Sequence, residues 1–190
     1  MKSKSSLILE EALREFASAV LVAGPCTLDL FVMHRDQFGQ PEFAELVAAI
    51  RSSPIPVGRI GSRHRLADFA VGRLITAVGQ VQILPDIERV DHALDSQALQ
   101  ILRQAGIRSI VIVPLYDPIS LIVGIATISW PQRTRFTVQE VGNFLAGREQ
   151  LSNVVALNLQ EHGFKFQRSR VIQTVNLGGR TTPKTAKHNG

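Results

Sequence analysis

From Leu7 to Ala23 apolar residues recur at three- and four-residue spacing. Leu9, Leu13, Phe16, Ala17, Val20 and Leu21 form one stripe, which predicts a helix stopped by Gly24-Pro25. The period then shortens. Thr27 to Arg35 reads as a strand, with Leu28, Leu30 and Val32 on one face and Phe31 and Met33 on the other. Asp36-Gln37-Phe38-Gly39 is a turn. Glu42 to Arg51 has the Ala and Leu of a helix but follows a hairpin-like turn, and we assign it as a strand. Ser52 to Arg65, rich in Pro, Gly and Arg, reads as a loop. Leu66 to Val78 is helical in pattern and ends at Gly79. A short strand, Gln80 to Leu84, is closed by Pro85-Asp86. A further helix is capped by Asp91 or Asp95 and carries Leu94, Ala98, Ile101, Leu102 and Ala105 as its stripe. Gly106 stands where a left-handed C-terminal cap belongs.

Two strongly apolar segments follow, Ile107 to Tyr116 and Leu121 to Trp130, separated by the four residues Asp117-Pro118-Ile119-Ser120. A parallel pair needs a crossover of about a dozen residues, so these strands are antiparallel. Antiparallel strands usually leave one face wet, and their residues then alternate between apolar and polar. Here Ile110 and Ile112 point one way while Val111 and Val113 point the other, so both faces must be covered. The cover available is helical. The first and last helices suit one face, and the middle helices with their loops suit the other. The last helix has the clearest start. Thr137 with Glu140 forms a capping box, and Phe136 and Val141 have the offset of a hydrophobic staple. It should run from Val138 to about His162, with Gly163 as terminator. Val141, Leu145 and Val155 are read as its stripe. Val154 and Leu157 lie off that stripe, leaving apolar surface for a partner helix. The expected class is α+β, an antiparallel sheet between two helical layers.

Composition adds limits. The 190 residues suit one domain with a tail, and the single cysteine, Cys26, rules out an internal disulfide framework. The net charge of +5 comes from the tail: after Glu161 there is no acidic residue, while Lys165, Arg168, Arg170, Arg180, Lys184 and Lys187 remain. The rest of the chain is close to neutral, so the high pI does not argue for nucleic-acid binding by the body. Residues 1–163 are expected to fold and 164–190 to be a basic, disordered tail. "VIQTVNL" within that tail has the pattern of one strand. Electrostatic contact with nucleic acid is open to such a tail. No segment has the length of a membrane span. Lys2 and Lys4 resemble the start of a signal peptide, but Glu10, Glu11 and Arg14 interrupt its would-be core, and a cytoplasmic location is expected.

Taken in order, several segments resemble the GAF domain family: "GRLITAVGQVQILPDI" (Gly72–Ile87), "AGIRSIVIVPL" (Ala105–Leu115), "LIVGIATISW", "RFTVQE" and a long closing helix. The likeness spans roughly Leu7 to His162 and is poor over Glu42–Arg65. It implies a five- or six-stranded antiparallel sheet flanked by helices on both faces, in a non-enzymatic sensory or regulatory module. Such modules often dimerise through their terminal helices and hold a small effector against one sheet face. The alternative is a ligand-free interaction domain left from a larger sensor kinase or transcription regulator, and either form signals through a partner protein. If a pocket exists, its lining is expected from Phe31, Met33, Asp86, Ile87, Arg108 and Ile110, on a face that periodicity does not fix. Arg108 also reads as the anchor of a loop or a carboxylate, and Asp86 as ordinary turn chemistry.

The subclasses of the family do not fit. The cyclic-nucleotide pattern requires an Asn-Lys pair before Phe136 and Glu140, and none precedes them. Bilin attachment requires a cysteine in the later half, and Cys26 lies near the first strand, where it reads as a small buried residue. The methionine-sulfoxide reductase members need several redox cysteines. His34, His64, His92, His162 and His188 show no metal-ligand spacing, and no set of nucleophile, base and orienter is present. Arg59, Arg63, His64 and Arg65 form a basic loop, read as solvated surface with an anionic partner as the alternative.

Overall fold

The computed structural model describes residues 4–20, 24–52, 58–66, 79–90 and 97–161. Helix α1 (Lys4–Ala19) is followed by strands β1 (Thr27–Arg35), β2 (Pro41–Arg51), β3 (Arg63–Arg65) and β4 (Gln82–Leu84). A 3-10 turn, Ile87–Arg89, leads to helix α2 (Gln97–Gln104), strands β5 (Ser109–Tyr116) and β6 (Ile122–Trp130), and helix α3 (Val138–Glu161). The strands form one six-stranded sheet in the order β3-β2-β1-β6-β5-β4, and every neighbouring pair is antiparallel. This is the α+β class expected, and the strand assignment of Glu42–Arg51 holds.

Both hairpins are turned by an aspartate. Asp36 Oδ1 accepts from the amides of Phe38 and Gln40, both at 2.8 Å. Asp117 Oδ1 accepts from those of Ile119 (3.1 Å) and Leu121 (2.8 Å). Such side-chain acceptors imitate a backbone turn, which is why Asp is selected there. The β5–β6 hairpin is buried on both faces, as its continuous apolar pattern requires.

The first face of the sheet packs against α1 and α3. Leu9, Leu13, Phe16 and Val20 meet Leu28, Leu30 and Val32 of β1, with Val111, Ala126 and Ile128 beside them and Phe144, Leu151 and Val155 above. The two helices run antiparallel: Ser5 Oγ donates to Asn158 Oδ1 at 2.7 Å, and Gln150 Nε2 donates to Glu15 Oε2 at 3.0 Å. They cross closely at Gly147, where a Cβ would stand 2.9 Å from the Phe16 ring.

The second face carries another apolar cluster: Met33 and Ala44, Ile110 and Ile112, Ile122 and Ile125, with Leu66, Ile87 and Ile107 from the connections. Leu102 and Ala105 at the end of α2 pack against it. Gly106 (φ 76°) ends α2 as predicted. Its amide donates to the Arg103 carbonyl (2.9 Å) and that of Ile107 to the Leu102 carbonyl (3.0 Å), the bonding of a Schellman cap.

Several expectations change. The first helix begins at Lys4, ahead of Leu7. The supposed loop 52–65 contains edge strand β3, whose Arg-His-Arg sequence guards an exposed edge with charge. Ile101 is exposed and lies off the buried side of α2, where Leu99 is buried instead. On α3 the buried line is Phe144, Gly147, Leu151, Val155 and Leu159, a three- and four-residue run, whereas Leu145 is exposed. The hydrophobic reading passed over Gly147 because its role is to make room, not to bury a side chain. The helix expected from Leu66 lies outside the described residues beyond Leu66 itself. So do Leu21, Leu94, the caps at Asp91 or Asp95, the end of the last helix at His162 and Gly163, and the tail 164–190.

Candidate functional site

Alternation along β1 sorts its residues. Leu28, Leu30 and Val32 are in the α1/α3 core, so Thr27, Asp29, Phe31 and Met33 face the other way. The second face thereby gathers four of the six residues expected to line a pocket. Met33, Ile87 and Ile110 are buried in one cluster, and Phe31 packs against it. Phe31 also meets the His64 ring edge-on, at 5.9 Å between centroids. Burial holds the His64 imidazole below its ordinary pKa. Its Nε2 lies 3.0 Å from Ser62 Oγ.

Asp86 and Arg108 are brought to each other at a corner beside this cluster. Arg108 Nε donates to Asp86 Oδ1 at 2.8 Å, and its other arm pairs with Glu88 Oε2 at 2.8 Å. Arg89 and Arg133 stand 3.4 Å and 4.0 Å from Asp86 Oδ2. Asp86 also caps the 3-10 turn by accepting from the Glu88 amide. The Arg108 hydrogen bond, helped by that amide and by the charges of Arg108 and Arg89, holds the Asp86 carboxyl below its usual pKa. Backbone bonds complete the corner: Ile87 N to Arg108 O and Arg108 N to Trp130 O, both 2.8 Å. Ser109 Oγ sits 2.8 Å from the carbonyls of Pro85 and Gln132 and accepts from Thr134 N at 2.7 Å. Arg108 thus anchors a carboxylate, the reading its sequence position favoured over contact with a ligand. The pair fixes the β4 exit against the start of β5.

The sequence reading missed Asp29. It is 1 % exposed, and among the described residues neither of its carboxylate oxygens has a hydrogen-bond partner. Burial pushes its pKa up to about 7, with the Arg51 guanidinium opposing the shift. Thr27, on the same face, is fully buried, and its Oγ1 also lacks a partner among the described residues. A charged residue in the midst of "TLDLFVM" was the signal available.

Elsewhere the chemistry is structural. Cys26 is buried, and burial raises its thiol pKa, which makes it a poor nucleophile. Its amide donates to Ser52 Oγ at 2.9 Å. His34 pairs with Glu45 at 2.8 Å, and Arg63 meets the same carboxylate at 3.0 Å. Arg65 lies over the Phe43 ring, 5.9 Å from its centroid. Two of the four basic residues assigned to a solvated loop are therefore engaged with neighbours in β2. His92, His162 and His188 lie outside the described residues. Among the described residues no group of His, Cys, Asp and Glu is arranged to hold a metal, and no helix is long and apolar enough to cross a membrane.

No protein-family model matches the sequence, and no curated protein matches it. The structure, by contrast, is similar to many solved chains. The phycocyanobilin-bound GAF domain of a cyanobacterial phytochrome aligns with a TM-score of 0.61 at 13% identity, covering 86% of this chain and 100% of that one. The GAF domain of an Acinetobacter phosphoenolpyruvate-protein phosphotransferase gives 0.59 at 17% identity over 85% and 87%. That of a Bacillus halodurans two-component sensor histidine kinase gives 0.57 at 16% identity over 82% and 96%. The strand order, the helical cover on the first face and these alignments agree, and the chain has the GAF fold.

Proposed function

We propose that this protein is a non-catalytic sensory or regulatory module that binds a small effector on the second face of its sheet and acts through a partner protein. The observation that carries the reading is the gathering, on the second face, of four of the residues expected to line a pocket. Helices α1 and α3 seal the first face, while Phe31, Met33, Ile87 and Ile110 collect on the second beside the braced Asp86–Arg108 corner. The GAF likeness supports the reading by analogy of fold, which does not name a ligand. A bilin is not carried over from the phytochrome neighbour, because this chain has no cysteine in its later half.

Dimerisation through the terminal helices belongs to the same proposal. Leu7 on α1 and Leu145 and Leu157 on α3 are exposed, at 54%, 45% and 58%. A second copy covering them would bury apolar surface that now meets water. Light scattering is expected to report a dimer that Leu145→Asp with Leu157→Asp converts to a monomer. A monomeric wild type would refute this part.

The competing reading, a ligand-free interaction domain, draws on the mutual burial of Met33, Ile87 and Ile110, which already excludes water from part of the face. Native mass spectrometry of the full chain purified from its own cells separates the two. A retained small molecule is the expected result, and a clean apo mass would favour the scaffold.

A further inference from the structure

The second face has a polar centre that the fold does not use. Asp29 and Thr27 are buried there side by side, and strand β6 sets Thr127 opposite Asp29 and Ser129 opposite Thr27. The hydroxyls of adjacent strands thus flank the carboxylate. Around them the face is apolar: Phe31, Met33, Ile112 and Ile125. Buried polar groups are nearly always hydrogen-bonded, and one left unmade is costly, most of all a carboxylate. The contrast with Asp86 is sharp, since that carboxylate faces three guanidinium groups. The charged neighbour of Asp29 is Arg51, opposite Thr27 on β2. Arg51 is exposed, donates to the Gly58 carbonyl at 2.7 Å, and draws the Asp29 pKa only partway back. Among the described residues, further titratable groups on this side are His64, against Phe31, Tyr116, packed against the cluster, and the Asp86–Arg108 pair at its corner.

We propose that Asp29, with Thr27 beside it, is the recognition point for a small ligand bearing a protonated nitrogen, an ammonium or an amidinium. This rests on the effector reading above and narrows it to a chemical class. An ionised carboxylate only accepts, so its partner must donate. Two unpartnered oxygens match the paired N–H groups of a planar amidinium, and a buried carboxylate gains most from a partner that also brings the missing charge. Thr27 Oγ1 accepts a further N–H. The apolar remainder of the face, with the ring of Phe31, suits the body of the ligand. An anionic group presented at this point would be repelled.

The test is an NMR titration of the full chain with benzamidine and with benzamide, its uncharged counterpart of similar shape. Benzamidine is expected to shift amides of β1 and β6 and to bind at least ~10-fold more tightly than benzamide, the ratio a charge-assisted hydrogen bond supplies. Asp29→Asn should erase that preference, and Thr27→Val should reduce it. The comparison of the two probes on wild-type protein needs no variant, so a misfolded Asp29→Asn chain does not block the result. Equal binding of the two probes, binding of neither, or an unchanged preference in folded Asp29→Asn overturns the proposal. A native mass spectrum with a retained molecule lacking a basic nitrogen also overturns it while leaving the effector reading intact. A clean apo mass combined with no probe binding defeats both.

Discussion

The two faces of the sheet bury their polar groups differently. On the first face and its helices, Ser109, Ser152 and Asn158 are buried, and each has a bonded oxygen, although Asn158 Nδ2 has no partner among the described residues. Ser109 Oγ bridges loops, Ser152 Oγ accepts from Tyr116 N at 3.2 Å, and Asn158 Oδ1 accepts from Ser5. On the second face Thr27 and Asp29 are buried just as deeply with no such partner among the described residues. Burial alone therefore does not mark a core. Satisfaction of the buried group separates a polar residue that holds the fold from one that is kept despite the fold.

The comparison breaks most visibly in stability. Phe16 is buried against α3 at the Gly147 crossing, so Phe16→Ala should cost about 3–5 kcal/mol in urea denaturation. Ile110→Ala on the second face removes a smaller side chain that is also buried, at 4% exposure, and should cost less, about 2–3 kcal/mol. Equal losses would mean that both faces are packed as cores.

Asp29 and Asp86 should move the pH profile in opposite directions. Asp29 has its folded pKa raised from 3.8 to about 7, so the folded state holds a proton that the unfolded state has lost. That contribution is fully present below the unfolded pKa and disappears as pH rises through about 7, a change of roughly 4 kcal/mol at most. Asp86 has its folded pKa lowered. Its contribution is present above the unfolded pKa and is lost as pH falls through the folded one. Urea melts across pH should show Asp29→Asn removing the decline on the neutral side and Asp86→Asn removing the loss in acid. A neutral-side slope unchanged in Asp29→Asn would show that the carboxylate is solvated in the folded state.

Gly147→Ala sharpens the description of the first face. The added methyl would lie 2.9 Å from the Phe16 ring, and the crossing must widen to admit it. Overpacking of this kind costs about 1–3 kcal/mol, measured by thermal or urea melting. A neutral result would show that the α1–α3 pair slides freely.

The fold was legible where a local pattern has a single physical solution. The short hairpin turned by Asp117 forces antiparallel pairing, the unbroken apolar runs of β5 and β6 force two covered faces, and Gly106 ends α2 because that position needs φ of 76°. The site was legible only in part. Periodicity placed Phe31 and Met33 together and opposite Leu30, but an ion pair such as Asp86–Arg108 joins residues from two separate segments, which no single window contains. Strand β3 was hidden because three charged residues on an edge look the same as a loop. Asp29 was hidden by the opposite effect: a carboxylate in a strand normally signals a wet face, and only the assembled sheet shows that it is dry.

The smallest effect belongs to the start of α3, where the sequence signal was strongest. Glu140 N donates to Thr137 Oγ1 at 3.2 Å, and Thr137 N donates to Glu140 Oε2 at 2.7 Å. The Thr137 amide, and then its hydroxyl, donating to Glu140 Oε2 hold the Glu140 carboxyl below its usual pKa. Thr137→Ala should cost about 1 kcal/mol, because the amide it satisfied turns to water and is not left stranded. Glu140→Gln should cost less, since the amide side chain still accepts from Thr137 N. The same cap holds Phe136 against Trp130 and Phe144, at 5.4 Å and 6.0 Å between ring centroids, on the first face. Loss of the cap should therefore loosen those rings, seen as a change in Trp130 fluorescence, and leave the benzamidine preference set by Asp29 on the second face untouched. A change in that preference on Thr137→Ala would show that the two faces are coupled through the sheet, and the contrast between them would have to be redrawn as one cooperative core.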